Sequence, residues 1–230
     1  VFWYISKNKV DLLDEMLTAS LPLLSSLAIK LKVPWVKAET KWNKSEPSSI
    51  AKIPKLAIAV NQRYNVKPYE RLGPEESPTL VLFKGTATRV IQKSKFWVAM
   101  HEGSSALLLA GSSSNVMAGL DAENDAISPS VNPIEAIENA FRGVDDESTL
   151  PRVLSLAWQS IWRTQTGASA LPQVWGLGVF AGRFPTNKAE MRRAGKRGLT
   201  ELVVGSPVFI QQIEATTPAE PGTGPDPAPI

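Results

Sequence analysis

Cysteine is absent from all 230 residues, and histidine occurs once, at His101. The first absence removes disulfides, thiol nucleophiles, iron–sulfur clusters and thiolate zinc sites together. The second leaves a metal site to be built from carboxylates and gives any histidine-dependent triad a single base. No metal and no cofactor is therefore expected. Long apolar runs are also missing. The longest, Leu21 to Leu31, is broken by Pro22, two serines and Lys30, whereas a membrane helix needs roughly 20 apolar residues. No basic leader with a small-residue cleavage site precedes the apolar run at Val1, so no secretory signal is expected. There is no G-x-S-x-G nucleophile elbow, no P-loop lysine and no internal repeat.

What is present is an ordinary globular composition: 43% hydrophobic, 20% charged, mean hydropathy −0.08. Together with the missing cysteines this suits one soluble domain in a reducing cytoplasm. The formal net charge of +3 hides a division. Residues 28–100 carry 14 Lys/Arg against 5 Asp/Glu, and residues 101–150 carry 1 against 9. The basic stretch is a nucleic-acid candidate. Solvated faces are the plainer explanation, so nucleic acid is an unfavoured partner.

Val1 to Leu17 is the clearest segment. An apolar run, VFWYI, ends at Ser6, and an amphipathic pattern begins at once with Val10, Leu13 and Leu17 at helical spacing. Ser6 is placed to cap that helix. A second helix is expected over Leu21–Lys32 and a strand over Val36–Trp42. A third helix opens near Ser45 and Pro47 and runs to about Tyr64, with a kink or restart at Pro54. Residues 65–79 read as a proline-rich connector. Four short strands follow: Leu80–Phe83, Ala87–Gln92, Phe96–His101 and Ala106–Ala110, with a hairpin turn at Glu102-Gly103-Ser104. Asn132-Pro133-Ile134-Glu135 is a helix start. Thr149 to Gln165 is the longest helix, with Leu150, Leu154, Ala157, Trp158, Ile161 and Trp162 on one apolar face. A strand at Val174–Phe180, a short helix within Asn187–Gly198, and a last strand bent at Gly205-Ser206-Pro207 complete the pattern. The tail, TPAEPGTGPDPAPI, cannot bury apolar surface and is expected to be disordered.

The best candidate site is the loop Gly111, Ser112, Ser113, Ser114 and Asn115. It follows a buried-looking strand, and a helical turn there would turn backbone N–H groups and three hydroxyls toward an anion. The competing reading is a turn whose hydroxyls only cap the backbone. The carboxylates Asp121, Glu123 and Asp125 alternate like hard-cation ligands but lack the glycine and distal glutamate of a calcium loop. The basic segment Lys188–Arg197 is broken by Gly195 and reads as a solvated turn. His101 stands at a strand end away from the serine loop.

Three stretches together carry a resemblance: Y-I-S-x-x-K-V-D-L-L at Tyr4–Leu13, A-G-S-S-S-N-V-M-A-G at Ala110–Gly119, and L-V-V-G-S-P-V-F-I at Leu202–Ile210. The chain resembles an uncharacterised family of actinobacterial proteins, some of them in multi-component regulatory or defence-like gene neighbourhoods. The matches fall on Tyr4–Ser6, Lys9–Leu12, Gly111–Ser113 and Gly205–Pro207. The resemblance implies a bacterial cytoplasmic protein with one compact domain, and no reaction.

The sequence therefore predicts an α+β fold: a single domain over residues 1–215, a mostly antiparallel sheet flanked by helices, and a Pro/Gly-rich tail over 216–230. The leading expectation for function is a non-enzymatic binding or regulatory module that senses a small anionic ligand or docks a protein partner. The alternatives are an enzyme acting on a nucleotide or phosphorylated substrate at Gly111–Asn115, and a nucleic-acid binder using residues 28–100.

Overall fold

A computed structural model of the chain describes residues 1–19, 47–73, 79–92, 95–117, 150–163 and 171–213. The expected helix at Leu21–Lys32, the strand at Val36–Trp42, the acidic alternation at Asp121–Asp125, the helix start at Asn132 and the tail lie outside these residues.

The described residues form one mixed sheet with helices packed on it. Its strands are β1 (Phe2–Ile5), β2 (Lys67–Pro68), β3 (Thr79–Gln92), β4 (Lys95–Glu102), β5 (Ser105–Ser112), β6 (Gln173–Pro185) and β7 (Glu201–Ile213). Its helices are α1 (Lys7–Thr18), α2 (Pro47–Tyr64), α3 (Leu150–Arg163) and the short α4 (Lys188–Arg193). Most ladders are antiparallel; β2–β3 and β5–β7 are parallel. The α+β class and the mostly antiparallel sheet expected from the sequence are thus observed.

The ladders close on themselves. β3 pairs with β4, β4 with β5, β5 with β7, β7 with β6, and β6 again with β3. Two long strands make this circuit possible, because each serves two neighbours in turn. β3 lies against β6 over Thr79–Thr86 and against β4 over Thr86–Gln92. The sequence reads a break there, at Lys84-Gly85-Thr86. The structure instead carries one strand through it, with Gly85 at φ 155° where the partner changes. β7 likewise pairs with β5 over Glu201–Gly205 and with β1 over Phe209–Gln211. Pro207, which has no N–H to give, sits in the gap between those two partners. The expected irregularity at Gly205-Ser206-Pro207 appears as a register shift against β6.

Side chains alternate across the closed sheet. Val81, Phe83, Ala87 and Ile91 of β3 point inward with Phe96, Val98 and Met100 of β4 and Leu107 and Leu109 of β5. Outward residues meet two helical layers. One is α3, whose six expected apolar residues are all buried against Trp97, Ala99, Ala106 and Leu108. Trp158 and Trp162 stack at 5.1 Å, and the Trp158 indole N–H donates to the Met100 carbonyl at 3.0 Å. The other layer is α1 with α2, which covers Leu80, Leu177, Val179, Val208 and Phe209. β5 reads as an unbroken apolar run, SALLLAG, because both of its faces are covered.

Three local expectations change in detail. Ser6 holds the N-cap position of α1, but its side chain makes no cap bond. Its backbone is committed instead, with the N–H donating to the Val208 carbonyl at 2.8 Å. Met16, rather than Leu17, completes the buried stripe of α1. Finally, α2 runs through Pro54 as one helix. Proline removes one backbone bond there, but Ile53, Leu56, Ala57 and Val60 bury a continuous face that holds the helix on both sides of it.

Candidate functional site

The serine loop is built into the barrel wall. Gly111 and Ser112 end β5, and Ser113–Asn115 form a single 3-10 turn. The Ser112 hydroxyl accepts from the Ser114 N–H at 3.3 Å and lies 3.0 Å from the Ser114 hydroxyl. Asn115 is buried and donates from Nδ2 to the Tyr4 hydroxyl at 3.1 Å. Gly111 is small for a visible reason: a Cβ there would lie 2.5 Å from Tyr4 Oη. The five residues are together as the sequence suggests, and these contacts give the glycine, Ser112 and Asn115 partners within the protein.

His101 sits at the opposite end of β4, paired with Ala106 while Lys95 pairs with Ser112. Its Nε2 is 2.9 Å from Lys196 Nζ, and its ring meets Trp162 edge-on at 4.9 Å. The ammonium donates and the imidazole accepts. Burial, then the Lys196 charge, hold the His101 pKa below its usual value. This draws Lys196 out of the basic segment, leaving Arg192, Arg193 and Arg197 exposed.

A concave site lies elsewhere. A cleft of about 600 Å³ opens between α2 and the end of the sheet formed by β3 and β6. Ala57, Ile58 and Asn61 of α2 form one wall. Leu82 and Trp175 form the apolar floor, and Lys84, Gln173, Glu70 and Glu102 stand around it. Ile58 is 57% exposed, one of two large hydrophobics so exposed among the described residues.

Each acidic residue is held by a distinct device. Glu70 follows β2 in a 3-10 turn over Tyr69–Arg71. Tyr69 is fully buried and anchors that turn. Arg183 clamps it from β6, donating to the Tyr69 carbonyl at 3.0 Å, to the Glu70 carbonyl at 3.1 Å and to Glu201 Oε2 at 2.9 Å. Glu102 closes β4, and its carboxylate lies over Gly85, with Oε2 3.1 Å from where a Cβ would be. Burial pushes the Glu70 carboxyl above its usual value, and Glu102 adds to this. The Glu70 backbone, Arg71 and Arg183 oppose it without reversing it. Burial also pushes the Tyr69 phenol up, with Glu70 and Glu102 contributing.

Sequence reading missed this cleft. Glu70 lay in a segment read as connector and Glu102 in one read as a hairpin turn. A signal was available in Tyr69-Glu70-Arg71, an acid beside an aromatic inside a proline-bounded stretch. Among the described residues no group of three or more metal-ligating side chains is gathered in one place, and no helix is long and apolar enough to cross a membrane.

The model of a family of unknown function, DUF7019, matches residues 1–214. The chain belongs to this family. The match spans β1 through β7, so both the serine loop and the cleft lie within the DUF7019 region. No curated protein and no solved structure matches the chain. An uncharacterised family is what the sequence resemblance implied.

Proposed function

We propose that this DUF7019 chain is a non-enzymatic binding module that holds a small organic ligand in the cleft between α2 and the β3–β6 end of the barrel. The observation that carries the reading is the cleft itself. Its volume of about 600 Å³ falls in the range of roughly 300–1,000 Å³ usual for small-molecule sites. Its floor is apolar and aromatic, and a few polar groups stand at the rim, which is how such sites combine affinity with orientation. A regulatory role in a bacterial cytoplasmic system, as the actinobacterial resemblance implies, suits a domain that couples ligand occupancy to a helix face. The exposed Ile58 places that face beside the ligand.

The test is a ligand screen by thermal shift on the wild type and on Asn61→Trp, which fills the cleft from its exposed wall. Ligands that stabilise the first and not the second support the cleft. The competing location is the Gly111–Asn115 loop. Stabilisation by inorganic phosphate that disappears in Ser112→Ala would move the site there.

A second reading has one observation behind it. Glu70 holds its proton more tightly than an ordinary carboxyl and stands near Glu102. Two carboxyl groups with unlike environments in one cleft can act as general acid and base. Turnover of a glycoside or ester panel that is lost in both Glu70→Gln and Glu102→Gln would establish the enzyme.

A further inference from the structure

We infer that the occupant of the cleft is an organic cation with an apolar or aromatic body, its charged nitrogen held between Glu70 and Glu102. The inference rests on the cleft being a ligand site and adds the chemical class of the ligand. Three observations carry it. The first is charge. The lining holds two carboxylates and one ammonium, Lys84; Lys84 and Glu102 are exposed to solvent, and Glu70 is partly buried. An anionic ligand would approach two like charges, one of them partly desolvated. A cation there relieves the repulsion that the pair exerts on itself.

The second is how the acids are supported. Arg183 is a partly buried cation at the Glu70 turn, and its donors go to the carbonyls of Tyr69 and Glu70 and to Glu201. The guanidinium therefore fixes the turn while the Glu70 carboxyl stays in the cleft lining. Across the cleft, Gly85 leaves room for the Glu102 carboxylate. A Cβ at Gly85 would stand 3.1 Å from Glu102 Oε2 and 3.0 Å from the His101 carbonyl. Gly85 is thus a positioning residue for the second acid.

The third is the floor. Leu82 and Trp175 offer apolar contact. The Trp175 indole N–H is already committed to Gln211 Oε1 at 3.1 Å, so that ring meets a ligand as an apolar surface. A cation with a flat apolar body satisfies both the floor and the rim, and an aromatic face also attracts cations.

The experiment uses four probes of matched size: phenethylamine and benzamidine as cations, phenethyl alcohol as the neutral counterpart, and phenylacetate as the anion. Each is titrated calorimetrically into the wild type, Glu102→Gln, Glu70→Gln/Glu102→Gln and Asn61→Trp. Unchanged melting of the glutamine variants without ligand shows that they are folded. Amide hydrogen exchange around Gly85 locates the probe without any mutation. Both cations should bind, with the alcohol at least about tenfold weaker, as charge-assisted hydrogen bonds predict. The double glutamine variant should bring cations down to the level of the alcohol. If the alcohol or phenylacetate binds as well as the amines, and all are lost in Asn61→Trp, the cleft stands and the cation class is overturned. If no probe binds or protects the Gly85 region, the cleft reading falls and the class falls with it.

Discussion

Substituting Gly111 by alanine tests whether this glycine serves the fold or a ligand. The added Cβ would lie 2.5 Å from Tyr4 Oη, 2.7 Å from Cζ and 2.8 Å from Cε2. The ring has to yield, yet it is closely held. Tyr4 is 1% exposed, stacks on Phe96 at 5.2 Å with planes 13° apart, and accepts from Asn115 at 3.1 Å. Forcing a methyl into such a site costs about 1–3 kcal/mol. Disturbing the hydroxyl bond adds about 0.5–1.5 kcal/mol. Stiffening the unfolded chain returns about 0.4–1 kcal/mol. The net loss is about 1–4 kcal/mol, measured by urea unfolding. In a Tyr4→Ala background the obstruction is gone, and Gly111→Ala should become neutral or slightly stabilising. A neutral effect in the wild type, or the same loss in both backgrounds, would refute the packing argument and return Gly111 to the list of ligand contacts.

Trp158→Ala should cost about 3–5 kcal/mol, because it removes a fully buried indole and its stack on Trp162; a loss under about 1 kcal/mol by the same assay would mean that α3 does not seal the barrel. Glu70→Gln tests the raised carboxyl. Its folded pKa lies above the unfolded one, so its contribution to stability is complete below the unfolded pKa and is lost as pH rises through the folded value. The variant should therefore melt at or above the wild type at pH 7–8 and lose that advantage in acid, with a difference under about 1 kcal/mol because the group is half exposed and screened. Asn187→Ala should cost about 1 kcal/mol, since Asn187 Oδ1 accepts from the N–H groups of Ala189 and Glu190 at the start of α4. Circular dichroism melting would show it.

Local pattern carried much of the architecture. The passage from β1 to α1, the apolar face of α3 and the hairpin from β4 to β5 all follow from neighbours in sequence, where period and turn chemistry speak directly. The errors occur where a distant partner overrides a local breaker. Gly85 reads as a turn but is the point where β3 exchanges β6 for β4. Pro54 reads as a kink or restart but lies within one helix held by tertiary contacts on both sides. The closure of the sheet depends on pairings such as Leu177 with Phe209 and Val81 with Gly178, which no local period encodes. The cleft was hidden for the same reason. Glu70, Glu102 and Trp175 come from three separate segments, and each has a bland meaning alone. The serine loop was conspicuous because its residues are adjacent in sequence.

The pairing of β1 with β7 has a consequence for how the chain is made. Phe2–Ile5 finds its ladder partners at Phe209–Gln211. During synthesis this ladder cannot form until β7 has emerged, although the bridge between Tyr4 and Val116 can form earlier. Through that interval the segment reading FWYI lacks its β7 ladder, and its aromatic side chains are less well covered than in the finished sheet. Ring closure across so long a loop is slow, because the entropy of bringing the ends together is spent before any contact compensates for it. Lys9, which reaches from α1 to the Ser206 hydroxyl and the Pro207 carbonyl at 3.0 Å, is a latch that engages only when both ends have arrived. Weakening it should raise aggregation during expression more than it lowers the stability of the finished protein.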